Sequence, residues 1–234
     1  VEVKESNTVH FMGVKIFIIL IMGLGASYSL QLVGFSTGCA GCVLSLLTMK
    51  HTDWRLWYIE KTAMYKAGVA HVGIWKICFP PNLIGADEYS VVCCHDFGFN
   101  EKFFPLEMKL GQILMVVASF LAFFGLFFSF LTPWNIFCPG LTEKQVKLLF
   151  ITGGLFYVFS SICVFVPISW NVHSISANKS IAFPTPFHLP SHPTTQRNGS
   201  AIYLGFMSGI LLLIGGLCVI AQRCLVRSNR IIAM

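Results

Sequence analysis

The chain alternates long apolar runs with polar stretches, and that alternation sets its elements. Leu110–Leu131 is uncharged, follows Lys109 and stops before Pro133. Leu148–Trp170 follows Lys147 and closes on a tryptophan, a residue that favours the lipid–water boundary. Ser200–Gln222 runs from just past Arg197 to Arg223. Each has the length of about 20 residues that crosses a bilayer as a helix, the form that satisfies every backbone group without water. Nearer the N-terminus no charge occurs between Lys15 and Lys50. That run is too long for one crossing and too short for two with a turn, so one span is placed at about Leu30–Met49. It contains Gly34-x-x-x-Gly38, a spacing that lets helices approach closely.

Residues 1–29 form a hydrophobic extension of unsettled topology, read as a signal peptide, a fifth span or an interfacial helix. Residues 30–223 form one four-helix unit with polar loops at about 50–109 and 171–199, and residues 224–234 a short cytoplasmic tail. The fold class is a mainly α membrane protein, a four-helix bundle carrying a small disulfide-stapled antiparallel β-sheet.

Composition agrees with this pattern. The chain has 234 residues, 55% hydrophobic and only 11% charged, against about 25% charged in ordinary soluble domains. Its mean hydropathy is +0.72. The net charge of +6 is scattered, and its one local cluster, Arg223, Arg227 and Arg230, marks the cytoplasmic end of a span rather than a nucleic-acid face. Two sequons, Asn178-Lys-Ser180 and Asn198-Gly-Ser200, share the second long loop. With the basic C-terminal segment they place both long loops outside the cell.

In the first long loop, WRLWYI (Trp54–Ile59), HVGIWKICF (His71–Phe79) and EYSVVCC (Glu88–Cys94) are rich in β-branched and aromatic residues and read as strands. Gly73 marks a bulge or a close backbone approach. Outside the cell Cys78 sits in an oxidising compartment with Cys93 and Cys94. Cys93 is the preferred partner and Cys94 the alternative; closing a loop of about 15 residues stabilises by roughly 3 kcal/mol. Trp54 and Trp57 either fill the sheet's inner face or anchor it to lipid. Acidic and basic residues balance between Lys50 and Lys109, so no ion preference follows.

Trp54, Gly73-Ile74-Trp75, Cys78 and a second cysteine resemble the W–GLW–C–C signature of the claudins, with isoleucine for the usual leucine and a longer cysteine spacing. Gln112-Ile-Leu-Met-Val116 resembles the RALMV that opens their second helix, with glutamine for the common arginine. Trp170 closes the third span as in that family, and Gly199-Ser-Ala201 resembles its small-residue start of the fourth. The match runs from about Leu30 to Arg223 and looks most like a divergent branch, partly through WRLWYI and the FPTPFHLPSHP loop.

The resemblance implies a structural and adhesive protein of tight junctions, without catalysis. It implies a multi-pass protein of the plasma membrane at cell–cell contacts, whose loops contribute to the paracellular barrier. Its partners would be the lipid bilayer and claudins, itself included, in cis and in trans. Two departures stand out. The chain ends Ile231-Ile-Ala-Met234, a poor match to the tyrosine–valine pair that docks PDZ scaffolds, and the second loop is long and rich in proline and histidine. Both suit a rival reading, a tetraspan of the wider superfamily that modulates another membrane protein.

Other chemistry is thin. His188-x-x-x-His192 lacks a third ligand, so no metal is assigned, and no cofactor or nucleic-acid partner. Cys138 and Cys224 lie at the cytoplasmic edge, where palmitoylation is a candidate modification. Apart from Lys15 the spans hold no ionisable residue, which argues against a transporter or membrane enzyme.

Overall fold

The computed structural model describes residues 29–61, 67–79, 93–99, 101–137, 140, 142–184 and 193–232. Among the described residues, four helices are long and apolar enough to cross a membrane. Helix α1 is described over Ser29–Lys50; α2 spans Leu106–Phe137, α3 Glu143–Ser176 and α4 Ser200–Ile232. The helices outrun the apolar stretches. α2 continues through Pro133, α3 extends past Trp170, and α4 remains helical through most of the segment read as a tail. Residues 1–28, which hold nearly all of the N-terminal extension, lie outside the described residues.

In lipid there is little hydrophobic drive between helices, so contact depends on small residues that let backbones close in. Gly34 of α1 packs on Gly215 and Val219 of α4, and Ser208 Oγ of α4 donates to the Gly41 carbonyl at 2.8 Å. Gly34-x-x-x-Gly38 thus serves the close approach its spacing suggests. Tyr157 of α3, fully buried, fills a slot walled by Gly38 of α1, Gly125 of α2 and Gly216 of α4. Glycine on three helices makes room for one large ring on the fourth.

At one end of the bundle sits a five-stranded antiparallel sheet of order β4-β3-β2-β1-β5. The strands are β1 (Arg55–Ile59), β2 (Gly68–Val72), β3 (Lys76–Phe79), β4 (Cys93–Asp96) and β5 (Thr195–Asn198). The stretch His71–Phe79, read as one strand, is two strands joined through Gly73-Ile74-Trp75, with the Gly73 amide donating to the Lys76 carbonyl at 2.8 Å. A Cβ on Gly73 would stand 2.9 Å from the His51 carbonyl and 3.0 Å from Thr52 Cα, so the position needs glycine for close approach. The third predicted strand is displaced toward the C-terminus and begins at Cys93; residues 88–92 lie outside the described set. β5 was not predicted. It comes from the second long loop and pairs with β1, Arg55 opposite Asn198 and Tyr58 opposite Thr195.

The disulfide joins Cys78 to Cys94, correcting the preference for Cys93. The cause is register. Cys78 lies opposite Cys94 across β3 and β4, whereas Cys93 lies opposite Phe79. Adjacent residues of a strand face opposite sides, so a slip of one residue would be needed to exchange them.

Candidate functional site: the sheet and its anchorage

The ends of all four helices contact the sheet and its flanking turns, and Trp54 and Ile74 of the signature are buried in that seam. Trp54 is 1% exposed, and its Nε1 donates to the Thr48 carbonyl at the end of α1, 2.9 Å away. Trp57 is also buried, its ring 4.7 Å from that of Phe183. Both rings pack within the protein. Phe183 reaches Phe103, which stacks edge-on with Phe104 and Phe97. An aromatic cluster therefore ties residues of both loops together.

The Gly73-Ile74-Trp75 turn is held from the bundle. Ile74 is buried beside Gly111 of α2, which also meets Pro167 of α3. Gln112 Nε2 donates to the Ile74 carbonyl at 2.7 Å. Trp75 is half-buried and stacks edge-on with Phe99, centroids 4.7 Å apart. Gln112 was read from sequence only as part of a helix-opening motif; its work is to fix this turn.

Beneath β1 lies a polar network that sequence reasoning missed. Arg55 Nη2 meets Glu107 Oε1 at 3.3 Å, with side-chain exposures of 2% and 7%. Arg55 Nε donates to Asn171 Oδ1 at 2.6 Å, and Ser174 Oγ donates to Glu107 Oε1 at 2.6 Å. One strand of the sheet is thereby locked to the start of α2 and the end of α3. Burial pushes the Arg55 guanidinium below its ordinary pKa, and the Glu107 carboxylate opposes that shift. A buried charge persists only when paired and hydrogen-bonded in this way. In sequence Arg55 and Glu107 look like two of many solvated loop charges; the one available signal was Glu107 standing against the apolar run.

A second polar junction joins the segment between α1 and β1 to β2 and α4. His71 Nδ1 and Asp53 Oδ1 are 2.7 Å apart, Ser200 Oγ donates to Asp53 Oδ2 at 3.1 Å, and the Asp53 amide donates to His51 Nδ1 at 3.1 Å. The Asp53 carbonyl also accepts the Ala201 amide in the first turn of α4. A Cβ on Gly199 would run into that same carbonyl. Burial by itself raises the Asp53 pKa, but hydrogen bonds with His71 and Ser200 and the charges of His71 and His51 hold it below the ordinary carboxylate value. Protonation of Asp53 in the folded protein therefore needs a lower pH than in the unfolded chain. The stability it contributes is complete above about pH 4 and disappears as pH falls through the folded value. Asp53→Asn is expected to cost about 1–2 kcal/mol at neutral pH, below the ~1.5–3 kcal/mol of a fully buried hydrogen bond to a charged group because Asp53 is only partly buried. It should also flatten the acid limb of a thermal-unfolding series run from pH 3 to 7 in detergent. An unchanged acid limb in the variant would remove Asp53 as its source.

On the sheet's other face Lys76 Nζ meets Asp96 at 3.3 Å, and the Arg197 guanidinium lies over the Tyr58 ring at 5.6 Å. Asn178 is exposed in the turn after α3, while Asn198 lies in β5 with its Oδ1 buried. Cys138, His188 and His192 lie outside the described residues, and Cys224 falls on α4. Among the described residues no group of three His, Cys, Asp or Glu is placed to hold a metal.

Four apolar helices, a small sheet built on the W–GIW–C–C residues and one cross-strand bridge form the architecture that the resemblance implied. Residues 39–220 match the family described as PMP-22/EMP/MP20/Claudin tight junction. The chain belongs to the claudin family. It is 26% identical to Claudin-2 of Canis lupus familiaris over 210 residues, covering 88% of this chain and 83% of that protein. Claudin-2 of Homo sapiens is also 26% identical, over 212 residues with the same coverage. Claudin-15 of Rattus norvegicus is 27% identical over 207 residues, 85% of this chain and 81% of its own length. At this distance the chain is a divergent claudin, a multi-pass membrane protein of tight junctions.

Proposed function

We propose that this claudin is a structural and adhesive component of the tight junction, contributing to the paracellular barrier through its two extracellular loops. The observation that carries the reading is the pairing of β5 with β1. It makes the two loops one sheet, and the Arg55–Glu107–Asn171–Ser174 network fixes that sheet to the bundle. A barrier element facing a neighbouring cell must hold its shape without a large core of its own, and such cross-linking supplies that rigidity. The disulfide supports an extracellular position, since such bridges persist in oxidising compartments. The partners on this reading are lipid and other claudins, itself included, and no step is catalytic.

The length and proline content of the second loop support a second reading, in which the same platform docks on and modulates another membrane protein. The two separate in cells that lack tight-junction strands. Expressed there with a tag on its cytoplasmic side and imaged by freeze-fracture, the protein is expected to form continuous strands where two expressing cells meet. Diffuse surface protein without strands would overturn the barrier reading in favour of the modulator.

A further inference from the structure

The two sequons of the second loop are chemically alike in sequence and differ in structure. Asn178 closes α3. Its amide donates to the Ile175 carbonyl at 3.0 Å and the Lys179 amide to the Ser174 carbonyl at 3.0 Å, the crossed pair of bonds that ends a helix on a left-handed residue. Asn178 has φ of 50°, a region that glycine enters freely and asparagine tolerates. Capping alone would be served at least as well by glycine, yet the position holds an exposed asparagine two residues before Ser180. α3 continues as helix beyond Trp170 to Ser176, a further six residues or about 9 Å at ~1.5 Å per residue, and the turn follows directly. The turn is braced on both sides. Gln196 Nε2 of β5 donates to the Lys179 carbonyl at 3.0 Å, and Ile181 is buried just beyond. Asn178 is thus presented outward from a fixed support.

Asn198 has none of these properties. It is half-buried in β5, paired with Arg55 of β1, and its Oδ1 is shielded. The hydroxyl of its sequon, Ser200 Oγ, is engaged with Asp53 Oδ2. A glycan there would have to leave from inside the seam between sheet and bundle.

We infer that Asn178 is an N-glycosylation site of this protein and that Asn198 is not. The donor is an oligosaccharide linked through pyrophosphate to a membrane lipid. A bond forms between Asn178 Nδ2 and the first sugar's anomeric carbon, the bond from that carbon to the phosphate oxygen breaks, Nδ2 gives up a proton, and the lipid pyrophosphate leaves. The inference rests on the second loop lying outside the cell, and strand formation plays no part in it.

The test is the electrophoretic mobility of the full chain expressed in mammalian cells, with and without peptide N-glycosidase. The wild-type chain is expected to shift by a single step on enzyme treatment. Asn178→Gly preserves the left-handed cap while deleting the acceptor, so it should migrate at the deglycosylated position without loss of folding. Ser180→Ala, which leaves Asn178 in place, should do the same, and Asn198→Gln should still shift. No shift of the wild-type chain would overturn the inference, as would a shift that survives Asn178→Gly and Ser180→Ala but is lost in Asn198→Gln.

Discussion

Replacing Glu107 with alanine is expected to destabilise the protein by about 3–5 kcal/mol, the cost of leaving one member of a buried ion pair without its partner. Arg55 is 2% exposed and cannot recover hydration when the carboxylate is removed. Asn171 would still accept from Nε, but the Nη2 side of the guanidinium would lose its counter-charge. Ser174 would lose its acceptor as well. The affected groups sit on β1, α2 and α3, so the loss should loosen the sheet from the bundle rather than unfold a single helix. Thermal unfolding in detergent micelles, read beside delivery to the cell surface, measures it. Glu107→Gln keeps an acceptor for Ser174 and Arg55 and should fall between wild type and alanine. The double replacement Arg55→Met with Glu107→Leu should recover much of the loss, because exchanging a buried pair for apolar side chains of similar volume is often close to neutral. A Glu107→Ala variant within about 1 kcal/mol of wild type would show that Arg55 finds water or another acceptor; that is the upper range of an exposed pair.

The second large effect concerns the adjacent cysteines. Cys94→Ser is expected to cost about 3 kcal/mol, the stabilisation ascribed to closing a loop of this length. Cys93→Ser should leave the bridge intact. The two differ because Cys94 alone stands opposite Cys78 in the sheet. In Cys94→Ser, Cys93 could substitute only by slipping β4 one residue, which would turn the whole strand over and move Phe97 out of the aromatic cluster where it is 6% exposed. Comparison of reduced and unreduced mobility, followed by thermal unfolding, separates the cases. Equal loss of the bridge in both variants would contradict the register.

The spans were legible because their cause is local. A run of apolar residues in lipid has to satisfy its own hydrogen bonds, and a helix does so without reference to the rest of the chain. The strand segments Trp54–Ile59 and His71–Phe79 were legible as strand-forming sequence for a similar reason, their β-branched and aromatic content. The turn within His71–Phe79 was not, although Gly73 gave a hint, because Ile74 and Trp75 look like strand residues until α2 and α3 are in place to receive them. β5 was the hardest to see. Thr-Gln-Arg-Asn carries no strand signal, and becomes a strand only because the edge of β1 supplies hydrogen-bonding partners.

The site divides in the same way. Trp54, Gly73, Trp75 and Cys78 could be named from sequence because their types and spacing form a pattern, and the structure shows what each contacts. Arg55, Glu107, Asn171 and Ser174 form no pattern; Arg55 and Glu107 stand 52 positions apart, and Asn171 is 116 from Arg55. The three later spans, the presence of a stapled sheet and the family therefore followed from short-range chemistry in the sequence. The choice of Cys94 over Cys93, the entry of the second loop into the sheet and the ion pair beneath it were decided by tertiary structure. Each depends on which residues are brought face to face across the fold, and strand register and helix packing settle that only once the whole chain has assembled.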